Sequence, residues 1–256
     1  MPSNPAVSPL RSAAADPVRE ARIDLAASFR WAARLGFHEG TCNHFSLAVP
    51  GSTDRYLINP HGLHFSEIRA SDLLVVDGGG NLVEGRHPIE ATAVFIHSRI
   101  HKARPEAACV LHTHMPYATA LTVIEGGRLE MCSQNALRFH GRIGYDDDYR
   151  GLALDEAEGD RMVEALGANR VLFLQNHGVI VVAPTVAQAF DDLYYLERTA
   201  ELQVIAMSTG RRLKTIPEEI AARAAKQIEA QHDLYARVHF AALRRILERE
   251  EPDFME

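Results

Sequence analysis

The stretch CVLHTHMPYATA, residues 109–120, governs how the rest of the chain is read. Its first half is short, apolar and followed by Met-Pro, the composition of a buried strand. Two imidazoles interrupt it, at His112 and His114. Strand side chains alternate between faces, so both rings point to one side, roughly 7 Å apart at the backbone, and Thr113 points to the other. Imidazoles at that spacing suit a shared metal ion. With 13 histidines in the chain, chance pairs are also expected, and a satisfied core or surface pair is the plain alternative.

A third candidate ligand lies in LFLQNHGVIVV, an apolar stretch broken by Asn176-His177-Gly178. Burying an imidazole and an amide there is costly unless each finds a partner, and Gly178 permits a turn or a close backbone approach. His112, His114 and His177 together leave an open coordination position, the arrangement of a catalytic rather than a structural ion. Zinc is the first expectation, with iron, manganese or cobalt also compatible. Glu90, placed in the first turn of a helix beginning at Pro88, is the candidate general base or fourth ligand; a negative charge there also suits the helix dipole. His97 falls on the same helical face.

Around these motifs the chain alternates helices and strands. Residues 1–17, rich in Pro, Ser and Ala, read as a flexible N-terminal arm, and residues 18–256 as a single domain with a helical extension from about residue 211. Asp16-Pro17 caps a first helix that Gly36 closes. Short runs, FSLAVP, RYLINP, LLVVD and LVEG, read as antiparallel strands, with DGGGN as a hairpin turn. A helix is expected over 87–105, another after Asp155, a long one from Thr185 to Gly210, and a last from about Pro217 to Glu248. The fold class is α/β with a mostly antiparallel sheet covered by helices.

Composition narrows the function. A hydrophobic content of 46% with 24% charged residues is that of an ordinary globular protein, and a net charge of −7 argues against a nucleic-acid surface. Cys42, Cys109 and Cys132 are odd in number and form no CxxC, which fits free thiols in a reducing compartment. No secretory segment and no membrane-spanning run is evident, so the expectation is a cytoplasmic protein with a small-molecule substrate.

The order of GTCNHFS (40–46), LINPHGLHFSEI (57–68), IHSRIHKARPEAACVLHTHMP (96–116) and VLFLQNHGVIVVAPTVAQAFDDLYYLE (171–197) resembles the class II aldolase/adducin family over about residues 18–210. The resemblance implies a three-layer α/β/α sandwich around a mainly antiparallel sheet, a zinc-type ion on His112, His114 and His177, and a homo-oligomer, commonly a tetramer. Family members include sugar-phosphate aldolases, an epimerase, decarboxylases and the adducin head domain. The aldolases carry Pro-Ser-Ser-Glu before the helix, with serines on phosphate and Glu as acid/base. This chain has Pro88-Ile89-Glu90, and their Glu aligns with Ala93. Their Thr-Gly is here His61-Gly62. Losing hydroxyl donors argues against a sugar phosphate. His61, His64, Arg138 and His140 are offered instead as carboxylate-binding groups, with Gly62, Tyr117 and Asn43 (which resembles the family's anion-binding Asn) as further substrate contacts.

The expected activity is metal-dependent carbon–carbon cleavage or decarboxylation of a small hydroxy- or oxo-acid, or of a sugar-derived substrate. Two alternatives stand beside it: an adducin-like oligomeric binding module without turnover, and a three-His iron oxygenase. The stretch 96–116 looks especially like the adducin head, but the long basic tail on which adducin scaffolding depends has no counterpart in EREEPDFME, which favours catalysis.

Overall fold

The computed structural model describes residues 16–256. The proposed arm falls almost wholly outside them, and Asp16-Pro17 already belong to the first helix and its cap. Eight strands occur among the described residues: β1 (His44–Ala48), β2 (Arg55–Ile58), β3 (Leu74–Asp77), β4 (Leu82–Glu84), β5 (Cys109–Thr113), β6 (Ile143–Asp146), β7 (Val171–Leu174) and β8 (Gly178–Ala183). They form one sheet in the order β4-β3-β2-β1-β5-β8-β7-β6. Every pairing is antiparallel except β6 with β7.

The strand of the opening stretch, β5, sits mid-sheet between β1 and β8. Its alternation sorts the fold into layers. Cys109 and Leu111, with Phe45, Leu47, Val179 and Val181, join one core. Val110, with Leu172, Ile180 and Val182, joins another on the opposite face. Helices α1 (Pro17–Leu35), α3 (Pro116–Thr122) and α5 (Val186–Met207) cover the first face, and α2 (Ala91–Ala103) and α4 (Glu156–Leu166) cover the second. Each fully buried Leu, Ile or Phe on these faces contributes about 1.5–3 kcal/mol. The result is the three-layer α/β/α sandwich, with a mixed but mostly antiparallel sheet.

Helix ends follow local chemistry. The Asp16 side chain accepts the Val18 N–H at 3.0 Å, and Gly36 closes α1 at φ +69°. Asp155 and Thr185 cap α4 and α5 as expected. Two boundaries differ from expectation. Helix α2 starts at Ala91, not Pro88, because the Glu90 carboxylate accepts the Ala93 N–H at 2.8 Å and so fixes the first turn three residues later. The single C-terminal helix is in fact two, α6 (Glu218–Glu229) and α7 (His232–Glu250). Neither Gly nor Pro marks that break. It is set by packing: α6 lies against the 135–139 turn, whereas α7 runs along α5 with buried His232 bonded to Asp192 at 2.9 Å. Asp191 likewise binds His239 and Arg138, and Arg170 faces Asp192, so this cluster of carboxylates and imidazoles acts as an ionic clasp between α5 and α7. No described helix is long and apolar enough to cross a membrane.

Candidate metal centre

His112 is the last-but-one residue of β5, and His114 follows the strand's end. His177 occupies the turn between β7 and β8, where Asn176 takes the left-handed backbone at φ +56°. That turn is tied down by Asn176 N–H to the Thr122 carbonyl and His177 N–H to the Leu174 carbonyl, both 3.1 Å. The next residue has to be glycine. A Cβ on Gly178 would stand 2.5 Å from the Thr113 carbonyl oxygen and 2.8 Å from the His114 ring. The Gly178→Ala substitution is therefore expected to displace the β5 end or His114, destabilising the fold by about 1–3 kcal/mol and weakening metal retention. Urea midpoints and metal content check this, and a variant matching the parent in both would contradict it.

The three rings gather with centroids 4.7–5.0 Å apart, and one ligand nitrogen from each lies within 4.8 Å of the others. Orientation matters as much as distance. His112 Nδ1 donates to the Val179 carbonyl at 3.0 Å, and His114 Nδ1 faces the Glu39 carboxylate at 2.7 Å. With both Nδ1 protons committed, both Nε2 atoms present lone pairs, yet they stand only 3.2 Å apart. Two facing lone pairs repel unless a cation is shared between them. Ligands about 2.0–2.1 Å from a tetrahedral zinc are separated by roughly 3.3 Å, close to this spacing. Burial pushes the His112 imidazole well down from its ordinary range, with the neighbouring histidines adding to the effect, and burial brings His177 down to about 4. Neutral imidazole is the ligating form. The donor set thus fits a divalent ion.

Glu90 stands at the start of α2 with its carboxylate Oε2 3.9 Å from His44 Nε2. Burial by itself pushes this carboxyl up, but hydrogen bonds from the Thr92 hydroxyl and the Ala93 amide, with His44 nearby, outweigh it and hold the group below its usual range. Ala93, which aligns with the aldolase Glu, is buried against Tyr56, Ile58 and Leu74. Asn43 is buried; its Oδ1 accepts the Glu39 N–H at 2.7 Å, and its Nδ2 has no partner among the described residues. The exposed His61-Gly62 loop is fastened near Glu90 by His61 N–H to the Pro88 carbonyl at 2.9 Å.

Other predicted contacts are engaged elsewhere. Tyr117 packs on the main core at the start of α3, its N–H on Glu197 at 2.8 Å. Arg138 pairs with Asp191 at 2.8 Å and lies over the Tyr195 ring, His140 meets Glu218 at 2.9 Å, and His64 meets His38 at 2.6 Å. No hydrogen bond, ion pair or ring contact joins Arg138, His140 or His64 to the trio among the described residues.

Four participants, Glu39, His44, Ser46 and His101, were not singled out by the sequence. Glu39 orients His114. His44 is the cross-strand partner of His112, with ring centroids 4.8 Å apart. His44 Nδ1 bonds His97 at 2.7 Å, His97 bonds Ser46, and Ser46 bonds His101 at 2.7 Å. The usable signal was period-two alternation in NHFS, which puts His44 and Ser46 on the face of His112 once β1 pairs with β5.

Burial lowers the His97 and His101 imidazoles, the latter to about 4. Unfolded imidazoles take protons near pH 6.5, and these folded ones do not until lower pH. The stability they hold above pH 6.5 is therefore lost as pH falls toward 4, by about 1.4 kcal/mol per pH unit for each proton taken up. Denaturant midpoints of the chelated protein should fall from pH 7 to pH 5, and a flat profile would contradict this.

The profile described as the class II aldolase and adducin N-terminal domain matches residues 23–204. A crystal structure of an aldolase II superfamily protein from Pseudomonas syringae superposes with TM-score 0.89 at 36% identity, covering 96% of this chain and 99% of that one. L-fuculose 1-phosphate aldolase from Glaciozyma antarctica PI12 superposes with TM-score 0.83 at 26% identity, covering 95% and 96%. Decarboxylase NovR of Streptomyces niveus is 32% identical over 86% of this chain and 83% of that protein. Sequence profile, sandwich topology and relatives agree: the chain belongs to the class II aldolase/adducin family.

Proposed function

We propose that this protein is a divalent-metal-dependent carbon–carbon lyase that cleaves or decarboxylates a small hydroxy- or oxo-acid. The observation that carries the proposal is the pair of Nε2 lone pairs, on His112 and His114, turned toward each other and toward His177. His112, His114 and His177 would hold a divalent ion, zinc first and iron, manganese or cobalt otherwise, which would supply Lewis-acid polarisation of a substrate oxygen and stabilisation of an oxyanion.

The chain's own residues do the rest. The Val179 carbonyl and Glu39 fix the two ligand rings. Glu90 is ionised at rest, accepts the proton that the substrate gives up and hands it on to product; its Oε2 is taken up by Thr92 and Ala93, so Oε1 is the atom that meets substrate. Asn43 Nδ2, a buried donor without a partner among the described residues, suits an anionic substrate oxygen. With Pro88-Ile89-Glu90 and His61-Gly62 where the aldolases have hydroxyls, a carboxylate substrate is favoured over a sugar phosphate. The names of the decarboxylase and aldolase relatives point to the same class of bond breaking. The reading includes a cytoplasmic homo-oligomer, a tetramer by family analogy, with residues 18–256 as one domain that α6 and α7 extend.

Elemental analysis of the purified protein is expected to give close to one divalent ion per chain. A screen of hydroxy- and oxo-acids on protein reloaded with zinc, manganese or ferrous iron should give turnover. Folded protein that takes up no metal and turns over nothing would leave an adducin-like binding module. Oxygen uptake with ferrous iron would mark an oxygenase.

A further inference from the structure

The β1–β2 hairpin, the β3–β4 turn and the end of α2 enclose a cavity of about 570 Å³ that the proposed reaction does not use. Its walls include Asp54, Arg55, Tyr56, Ser98, His101 and Lys102. The volume falls within the usual range for small-molecule pockets. Tyr56 and His101 stack at 4.9 Å with planes 26° apart, giving the cavity an aromatic wall.

The polar groups around this wall are incompletely used. Tyr56 is only 2% exposed, and its hydroxyl is buried without a hydrogen-bond partner among the described residues. An unsatisfied buried hydroxyl is unfavourable and needs an explanation, of which an absent ligand is one. Burial raises the Tyr56 pKa, so the group keeps its proton and can donate. Arg55 and Lys102 are exposed and form no ion pair among the described residues. Against these two cations the walls set one carboxylate, Asp54, and Asp77 stands opposite Arg55 as its cross-strand partner on β3. His101 Nε2 is spent on Ser46, which leaves its Nδ1 unpartnered among the described residues.

We propose that this cavity is a second binding site, for a small hydroxylated anion. Its phosphate or carboxylate oxygens lie between Arg55 and Lys102 and accept from the Tyr56 hydroxyl, and Asp54 accepts from a ligand hydroxyl. The site is distinct from the trio, toward which a chain of contacts runs from His101 through Ser46, His97 and His44.

Isothermal titration of the whole protein with glycerol 3-phosphate and, separately, with glycerate tests the assignment. Saturable heat is expected with at least one, and the tighter of the two identifies the anionic head group. The exposed double substitution Arg55→Ala/Lys102→Ala should weaken binding at least tenfold with an unchanged thermal midpoint, and Tyr56→Phe should weaken it several-fold. A His112→Ala/His114→Ala chain should bind as the parent does. No saturable heat with either titrant, or affinity unaltered by Arg55→Ala/Lys102→Ala, overturns the proposal. Binding lost in the histidine variant alone overturns it too, by moving the ligand to the metal centre.

Discussion

Replacing His112 and His114 together by alanine is expected to empty the metal centre and lower turnover by about 10³-fold or more. The magnitude follows from the several kcal/mol that a Lewis-acidic ion supplies to a developing oxyanion, each 1.36 kcal/mol being tenfold in rate. The protein should stay folded. The substitution forfeits two hydrogen bonds, to the Val179 carbonyl and to Glu39, each contributing about 0.5–1.5 kcal/mol. It also relieves the repulsion between two facing lone pairs. A domain's stability of about 5–15 kcal/mol absorbs such a loss. Elemental analysis, a turnover assay and thermal unfolding check the three parts. Full metal stoichiometry in the variant would refute the assignment of the ligands, and an unfolded variant would make the ion structural.

The second large effect is expected at Glu90. Glu90→Gln should reduce kcat by about 10²–10⁴-fold, the usual contribution of a positioned general acid or base. Metal content should not change, because Glu90 is not among the three ligands. The amide oxygen of Gln still accepts the Ala93 N–H, so the start of α2 survives at a cost of less than about 1 kcal/mol. Glu90→Ala would remove the cap as well, which is why the Gln variant is the cleaner measurement. Unaltered turnover in Glu90→Gln would remove this carboxylate from the mechanism.

Much of the site was legible because strand periodicity is strict. Two residues apart along an extended stretch means one face, and that groups His112, on β5, with His114, just past its end, without knowledge of the fold. His177 was legible because an imidazole, an amide and a glycine inside an apolar hairpin need a reason. Glu90 was legible as a residue but not in its position. Whether the first turn begins at Pro88 or after Glu90 depends on whether the Ala93 amide bonds a backbone carbonyl one turn back or the Glu90 side chain, and composition does not say. Glu39 and His44 were not legible, since their roles arise from pairings across 75 and 68 positions of chain. Arg138 and His140 looked available to a ligand because sequence shows charge without showing partners. The 230–231 break was invisible for a related reason, as helix propensity runs through Ala230 and Gln231 and only packing against α5 interrupts it.

The interface between α2 and β1 bears on the rigidity of the candidate site. Aliphatic surfaces slide over one another at little cost, because any methyl group can be exchanged for its neighbour. Here His97 and His101 instead key into His44 and Ser46 by directional bonds, and these are satisfied at one rotation of the helix about its axis and at one axial offset. The carboxylate that begins the same helix is thereby aimed from about two and three turns further along, so a substitution at Ser46 would misdirect a group it never touches.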